Sequence, residues 1–168
     1  MTVVGGYTQP GVSEARHLAL VKGAPEVLRD MYDELPKDYD KMFKKLALSG
    51  ARIIALGIRE LGTLTHQELR ENKREFYEQK LNFAGFVVIH CPLKPDTRNM
   101  IKEIIESSHR VTMITGDNPL TACHVASVLR FTKKHARIMI LDEPLEGEEP
   151  IWKSMDGTES AELIPNGK

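Results

Sequence analysis

The residues best placed to do chemistry are Met113-Ile114-Thr115-Gly116-Asp117-Asn118-Pro119-Leu120-Thr121-Ala122. An apolar strand expected over 111–114 leads into a Thr-Gly-Asp turn. The turn opens a helix with small residues on its first turns. That arrangement suits phosphate. Gly116 lets backbone come close to a ligand, and the helix N-terminus offers free N–H groups and a positive dipole end. Thr115 can donate a hydroxyl hydrogen bond, and Asp117 can face a metal or a ribose. The same residues also have a purely structural reading, as a turn in which Asn118 caps the helix.

Lys22-Gly23-Ala24-Pro25-Glu26 marks a second strand-to-helix junction. In structural terms Gly23 makes the turn, Pro25 starts the helix where its missing N–H costs nothing, and Glu26 favours the helix dipole. Lys22 is then a solvated strand end.

The elements that must position these residues can be read from periodicity and turn chemistry. Residues 1–16 carry Gly5, Gly6, Pro10 and Gly11 and predict a loop or hairpin. A strand is expected over 17–21. A helix over 24–35 follows, with Val27, Leu28, Met31 and Leu35 as its buried stripe and Pro36 as its stop. A second helix over 39–48 is closed by Ser49-Gly50. Residues 52–58 predict a strand. Thr65-His66-Gln67-Glu68 fits a capping box, opening a charged, solvated helix over 66–79. A strand over 81–89 ends at the breaker Cys91-Pro92-Leu93-Lys94-Pro95. The next helix has Met100, Ile101, Ile104 and Ile105 on one face. The strand over 111–114, a helix over 119–131 and a strand over 137–141 complete the regular part. An acidic loop over 142–149 and a hairpin turn at Asp156-Gly157 come last. Helix, strand, helix, strand after Pro95 is the order of a parallel, doubly wound α/β sheet.

Composition bounds the function classes. Apolar residues make up 41% of the 168, enough for a core. Basic and acidic residues number 23 and 24, which gives no electrostatic case for nucleic acid or an anionic membrane. Cys91 and Cys123 are too few for a disulfide framework and suggest a reducing compartment. They lack metal-site spacing, and adjacent Cys123 and His124 cannot face one metal from one helix face, so no metal ligand is assigned. No apolar run approaches the roughly 20 residues that span a bilayer, and no basic n-region precedes an apolar h-region, so no signal peptide is expected and the segment itself is expected to be soluble. Two strands after Pro95 are too few to bury both faces of a parallel sheet, and the tail over 162–168 lacks a closing element. The chain therefore reads as a piece of something larger.

The ten-residue string 113–122 resembles the Thr-Gly-Asp motif of P-type ATPases, the cation and lipid pumps with a haloacid-dehalogenase-like phosphorylation domain. Lys22-Gly23-Ala24-Pro25-Glu26 resembles the Lys-Gly-Ala-Pro-Glu motif of their nucleotide-binding domain, where the lysine lines the adenine pocket. By that resemblance Lys22 and Gly23 are nucleotide contacts. Gly50-Ala51-Arg52-Ile53-Ile54-Ala55-Leu56-Gly57 resembles the family's Gly-x-Arg string, which implies Arg52 beside the ATP phosphates. A guanidinium suits that task because its planar fork pairs with phosphate oxygens and stays charged. Leu81-Asn82-Phe83-Ala84-Gly85-Phe86 is similar to the last strand of that domain. The family's Asp-Pro-Pro-Arg hinge reads Cys91-Pro92-Leu93-Lys94 here. Lys94 offers a point charge in place of a bidentate fork, so by the resemblance it still helps hold nucleotide. Met1-Thr2-Val3-Val4 looks like the end of another family string, Lys-Arg-Met-(Ser/Thr)-Val.

The altered hinge, together with the string running from His109 through the Thr-Gly-Asp turn, resembles the type V pumps of the A branch. These sit in the endoplasmic reticulum membrane and act on transmembrane helices of misinserted proteins. The resemblance covers residues 17–131 in family order and the rest loosely. It implies an α/β chain whose residues 1–90 are the second half of the nucleotide-binding domain, an antiparallel sheet with helices. Residues 91–95 are then the hinge, and 96–168 part of the doubly wound phosphorylation domain. It also implies catalytic-site roles for Thr115, Gly116 and Asp117, ATP and Mg2+ as cofactors with metal ligands outside this chain, and the pump's actuator and transmembrane domains as partners. The full-length protein would work at the cytosolic face of the endoplasmic reticulum membrane.

The family's phosphorylated Asp-Lys-Thr-Gly-Thr string and its magnesium-binding Gly-Asp-Gly-x-Asn-Asp string are absent from the sequence. Asp38-Tyr39-Asp40 mimics a haloacid-dehalogenase Asp-x-Asp, but it follows Pro36-Lys37 rather than an apolar strand and reads as a helix cap. The segment alone is therefore expected to position nucleotide without covalent chemistry. The alternatives are a stand-alone phosphatase, which would need an Asp-x-Asp after an apolar strand, and a stand-alone, non-catalytic nucleotide-binding or interaction module.

Overall fold

The computed structural model describes residues 1–131, 136–141, 150–155 and 160–162, with residues 160–162 described by backbone alone. The chain divides into two compact units, Met1–Leu46 with Ala51–His90, and Ala47–Gly50 with Cys91–Lys168.

The first unit is built on a five-stranded sheet whose strands run, edge to edge, Thr2–Thr8, Ala15–Gly23, Arg52–Gly62, Leu81–Ile89 and Tyr32–Glu34. A hairpin pairs β1 (Thr2–Thr8) antiparallel with β2 (Ala15–Gly23). The long strand β4 (Arg52–Gly62) lies antiparallel between β2 and β5 (Leu81–Ile89). Alternation along these strands sends Ala19, Val21, Ile53 and Ala55 to one face, where all are buried. The β5 ladder slips by one residue opposite Leu56–Gly57, at Ala84–Gly85. Gly85 has φ +142°, a backbone state that an L side chain rarely adopts. This bulge puts Phe83 and Phe86, three residues apart, on the same face. Their ring centroids are 5.0 Å apart, and Tyr39 stands 5.3 and 4.9 Å from them. Tyr32 completes the aromatic cluster, 5.6 Å from Phe83.

The helix expected over 24–35 is a single turn, α1 (Pro25–Leu28), followed by a 3-10 turn at Arg29–Met31. Tyr32–Glu34 then pairs parallel with β5 as the edge strand β3. Pairing wins over helical spacing here because Tyr32 gains a partly buried ring site against the core cluster and donates its hydroxyl to the Leu56 carbonyl at 3.0 Å. Of the expected stripe only Leu28 is fully buried, and Val27 is 58% exposed. Burial raises the Tyr32 phenol to about 12, its bond with Tyr39 opposing the rise. Burial, reinforced by neighbouring acidic groups, pushes Tyr39 up as well. Both remain neutral donors, and Tyr39 donates to the Pro25 carbonyl at 2.9 Å.

The helix α2 (Tyr39–Leu48) has its expected bounds. The Asp38 carbonyl accepts from Met42 at its start, and Gly50 follows its end at φ +80°. The helix expected over 66–79 breaks at Asn72-Lys73 into α3 (His66–Glu71) and α4 (Arg74–Tyr77). The break lets Tyr77 turn inward, 7% exposed, and donate to the Leu69 carbonyl. The capping box at Thr65 is complete in both directions. Its backbone and side-chain hydrogen bonds from Thr65 lower the Glu68 carboxyl below its ordinary value. The Glu68 contribution is therefore present at neutral pH and lost as pH falls through its folded-state pKa. Thr65→Ala should destabilise the first unit by about 1 kcal/mol, read from chemical denaturation at pH 7. An unchanged midpoint would show that the cap is idle.

In the second unit α5 (Thr97–Glu106) and α6 (Pro119–Val128) lie where helices are expected. The strand expected over 111–114 is not formed. No described strand pairs with it, and Ile114 is 94% exposed. Strand propensity without a ladder partner leaves the backbone irregular. The expected doubly wound parallel arrangement is likewise not seen among the described residues. Instead β6 (Met139–Leu141), β7 (Ile151–Ser154) and β8 (Ser160–Glu162) form an antiparallel meander. The acidic loop over 142–149, the Asp156-Gly157 turn and residues 163–168 of the tail lie outside the described residues. The Met100, Ile104 and Ile105 stripe of α5 is 40–51% exposed. Among the described residues no helix is long and apolar enough to cross a membrane.

Candidate functional site

Lys22 and Arg52 share one face of the first unit's sheet. Lys22 lies opposite Leu56 in the β2–β4 ladder, so their side chains leave the sheet on the same side. Leu56, Ile54 and Arg52 alternate along β4 on that side, opposite to buried Ile53 and Ala55. Four residues of strand separate Leu56 from Arg52, about 13 Å. Lys22 and Arg52 are both exposed.

The surface beside Lys22 is concave. A hollow of about 400 Å³ is lined by Val3, Leu20, Leu56, Ile58 and Ala84, with Lys22 at its rim. Its walls are almost wholly apolar, which suits a flat, weakly polar ring better than a charged group. One face of the sheet thus carries an apolar slot, a lysine at its rim, and an arginine farther along the strand. A base can lie in the slot while phosphates reach the arginine.

Gly23 has a packing role. A Cβ there would stand 2.5 Å from Leu28 Cδ1, inside the core cluster. Its glycine identity is explained by that close approach without any ligand. Gly116 is the opposite case. Its φ is not positive, and a Cβ built on it meets nothing within 4 Å. Neither conformation nor packing among the described residues requires a glycine at 116, whereas close approach of a ligand to the backbone would.

In the second unit Thr115 and Gly116 are exposed and Asp117 is half-buried. Thr115 Oγ1 accepts from the Asp117 N–H at 3.1 Å, which fixes the turn. The Asn118 side chain accepts from the Leu120 N–H at 2.9 Å, and Pro119 opens α6. The cap reading of Asn118 holds, and it leaves the turn projecting from the helix start. Lys94 is exposed in the irregular stretch before α5, where its carbonyl accepts from Thr97 N–H at 3.2 Å. Lys22, Gly23 and Arg52 thus belong to the first unit, and Lys94, Thr115, Gly116 and Asp117 to the second. Among the described residues no cluster of three His, Cys, Asp or Glu could hold a metal ion.

Sequence reasoning missed the hollow itself. Its signal was available in strands that are apolar on both faces, Leu20 beside Val21 and Ile54, Leu56 and Ile58 beside Ile53 and Ala55. A strand apolar on both sides is either covered twice or lines a site.

No family model matches the chain. Curated proteins do. The endoplasmic reticulum transmembrane helix translocase of Saccharomyces cerevisiae is 47% identical over 148 residues, 88% of this chain and 12% of that protein. The probable manganese-transporting ATPase PDR2 of Arabidopsis thaliana is 37% identical over 90% of this chain and 12% of its own length. The polyamine-transporting ATPase 13A3 of Mus musculus is 33% identical over 68% of this chain and 10% of its own length. The chain spans 10–12% of the length of these three curated relatives.

Proposed function

We propose, for a chain whose sequence is that of a P-type ATPase segment, that its first unit binds the nucleotide of an ATP-driven pump. The adenine lies in the hollow on the outer sheet face with Lys22 at its edge, and Arg52 takes a phosphate. The observation that carries this reading is the shared sheet face of Lys22, beside an apolar slot, and Arg52, about 13 Å farther along β4. Two motifs 30 residues apart come to one sheet face because β2 and β4 are sheet neighbours.

On this reading residues 1–90 are the latter half of the nucleotide-binding domain, 91–95 the hinge, and 96–168 part of the phosphorylation domain. Thr115, Gly116 and Asp117 serve at the phosphate end, and Lys94 adds positive charge near the hinge. The whole protein couples ATP hydrolysis to extraction of misinserted transmembrane helices at the cytosolic face of the endoplasmic reticulum membrane. The higher identity to transmembrane helix translocases than to the polyamine transporter supports that substrate class. Magnesium belongs to the pump's reaction. By the family resemblance its ligands belong to the Gly-Asp-Gly-x-Asn-Asp string, which this sequence lacks.

Two results test the division of labour. The 168-residue chain, incubated with radiolabelled ATP, should acquire no acid-stable, hydroxylamine-sensitive label, because the sequence lacks the phosphorylated aspartate string. Such a label would contradict the reading. In the full-length pump, Asp117→Asn should lower the phosphoenzyme level roughly tenfold or more, the scale of one lost charge-assisted contact, with little change in ADP affinity. An equal loss in ADP affinity would move Asp117 away from the phosphate end.

A further inference from the structure

The second unit carries a cleft of about 570 Å³ between α5 and the end of α6, outside every motif used above. Arg98, Lys102 and Glu106 form its α5 wall, Arg130 stands at the end of α6, and Ile105 and Leu129 make an apolar floor. Three cations face one carboxylate. Lys102 is engaged with Glu106 at 3.5 Å, while Arg98 and Arg130 make no ion pair among the described residues.

We propose that this cleft binds a short, extended acidic peptide of a partner protein. Its carboxylates would pair with Arg98 and Arg130, and an intervening apolar side chain would rest on Ile105 and Leu129. Charge complementarity selects an acidic partner. Shape selects a chain over a small anion. The cationic side chains are exposed, Arg98 and Lys102 a turn apart on α5 and Arg130 past the end of α6, so they do not converge on a single buried ion. Arg98 to Glu106 spans about 12 Å of helix, at 1.5 Å per residue. About four residues of extended peptide cover that length. Alternation then sends every second side chain to the apolar floor. Asn99, also on the wall, can bond the peptide main chain through its amide.

The test is fluorescence anisotropy of the full 168-residue chain with fluorescein-labelled Glu-Glu-Leu-Glu-Glu at low salt, with Lys-Lys-Leu-Lys-Lys as the reversed probe. Saturable binding of the acidic probe alone is expected. Arg98→Glu and Arg130→Glu should each weaken it by at least about tenfold, because a like charge then faces the peptide. Arg70→Glu on α3 should leave it unchanged. Should a reversal disturb the circular dichroism, Arg98→Gln and Arg130→Gln replace it, with about threefold losses expected from removing one exposed pair. Absent binding, equal affinity in every variant, or displacement of the probe by inorganic phosphate at matched charge would overturn the proposal. The last outcome would indicate a site for simple anions.

Discussion

Lys22→Ala and Arg52→Ala are each expected to weaken ATP binding by the full-length protein roughly tenfold to a hundredfold. That range corresponds to the about 1.5–3 kcal/mol carried by a hydrogen bond to a charged group. The two variants should differ in which ligand reports the loss. Lys22 borders the apolar slot, so its removal should weaken AMP and ATP alike. Arg52 stands about four strand residues farther along β4, so its removal should weaken ATP much more than AMP. Arg52→Lys should recover only part of the loss, because an ammonium cannot pair two phosphate oxygens as a fork does. Both side chains are exposed, and the measurement belongs at low ionic strength, where screening does not mask the effect. Lys73→Ala, at the start of α4, should bind ATP as the parent does. Equal affinity across all three variants would remove both roles.

The largest effect on stability is expected at Leu81. Its side chain is completely buried and belongs to the cluster of Val21, Leu28 and Ala55. Leu81→Ala should destabilise the first unit by about 2–5 kcal/mol, the cost of lost transfer energy and a residual cavity. Gly57 offers a paired test. A Cβ at 57 would meet Leu81 Cδ1 at 2.8 Å and Tyr32 Cε1 at 3.2 Å. Gly57→Ala alone should therefore cost about 1–3 kcal/mol through overpacking. In the Leu81→Ala background it should cost less, because the closest atom has gone. Additive losses in urea unfolding would show that Gly57 and Leu81 do not press on one another.

Much of the first unit was legible in the sequence because its signals are local. Residues 81–89 are largely apolar and run up to the Cys91–Pro95 breaker, and they form β5 with the expected limits. Thr65 and Glu68 stand at capping-box spacing and form that box. Legibility failed where a distant partner decided the outcome. Residues 29–34 have helical spacing, yet Tyr32 left the helix to pair with Leu81, which lies far along the chain. Residues 111–114 are as apolar as a strand, but no described strand offers them a ladder. The antiparallel β6-β7-β8 meander was hidden because its strands are only three or four residues long, too short to carry a period. The candidate site divides in the same way. Lys22 and Arg52 could be picked out as residue types in recognisable strings, but their common sheet face depends on the register of β2 against β4. Gly23 and Gly116 looked alike in sequence, and only packing separates a glycine required by Leu28 from one that nothing nearby explains.

The central claim is that nucleotide binds on the outer face of the first unit's sheet. The most direct measurement is an ATP titration of the isotopically labelled 168-residue chain, followed through backbone and methyl chemical shifts, which detects weak binding residue by residue. Saturable shifts concentrated on Leu20, Lys22, Arg52, Leu56 and Ile58 are predicted, with Phe83, Phe86 and Tyr39 on the opposite face little changed. Shifts centred on that aromatic face, or no saturable shift at millimolar ATP, would contradict it.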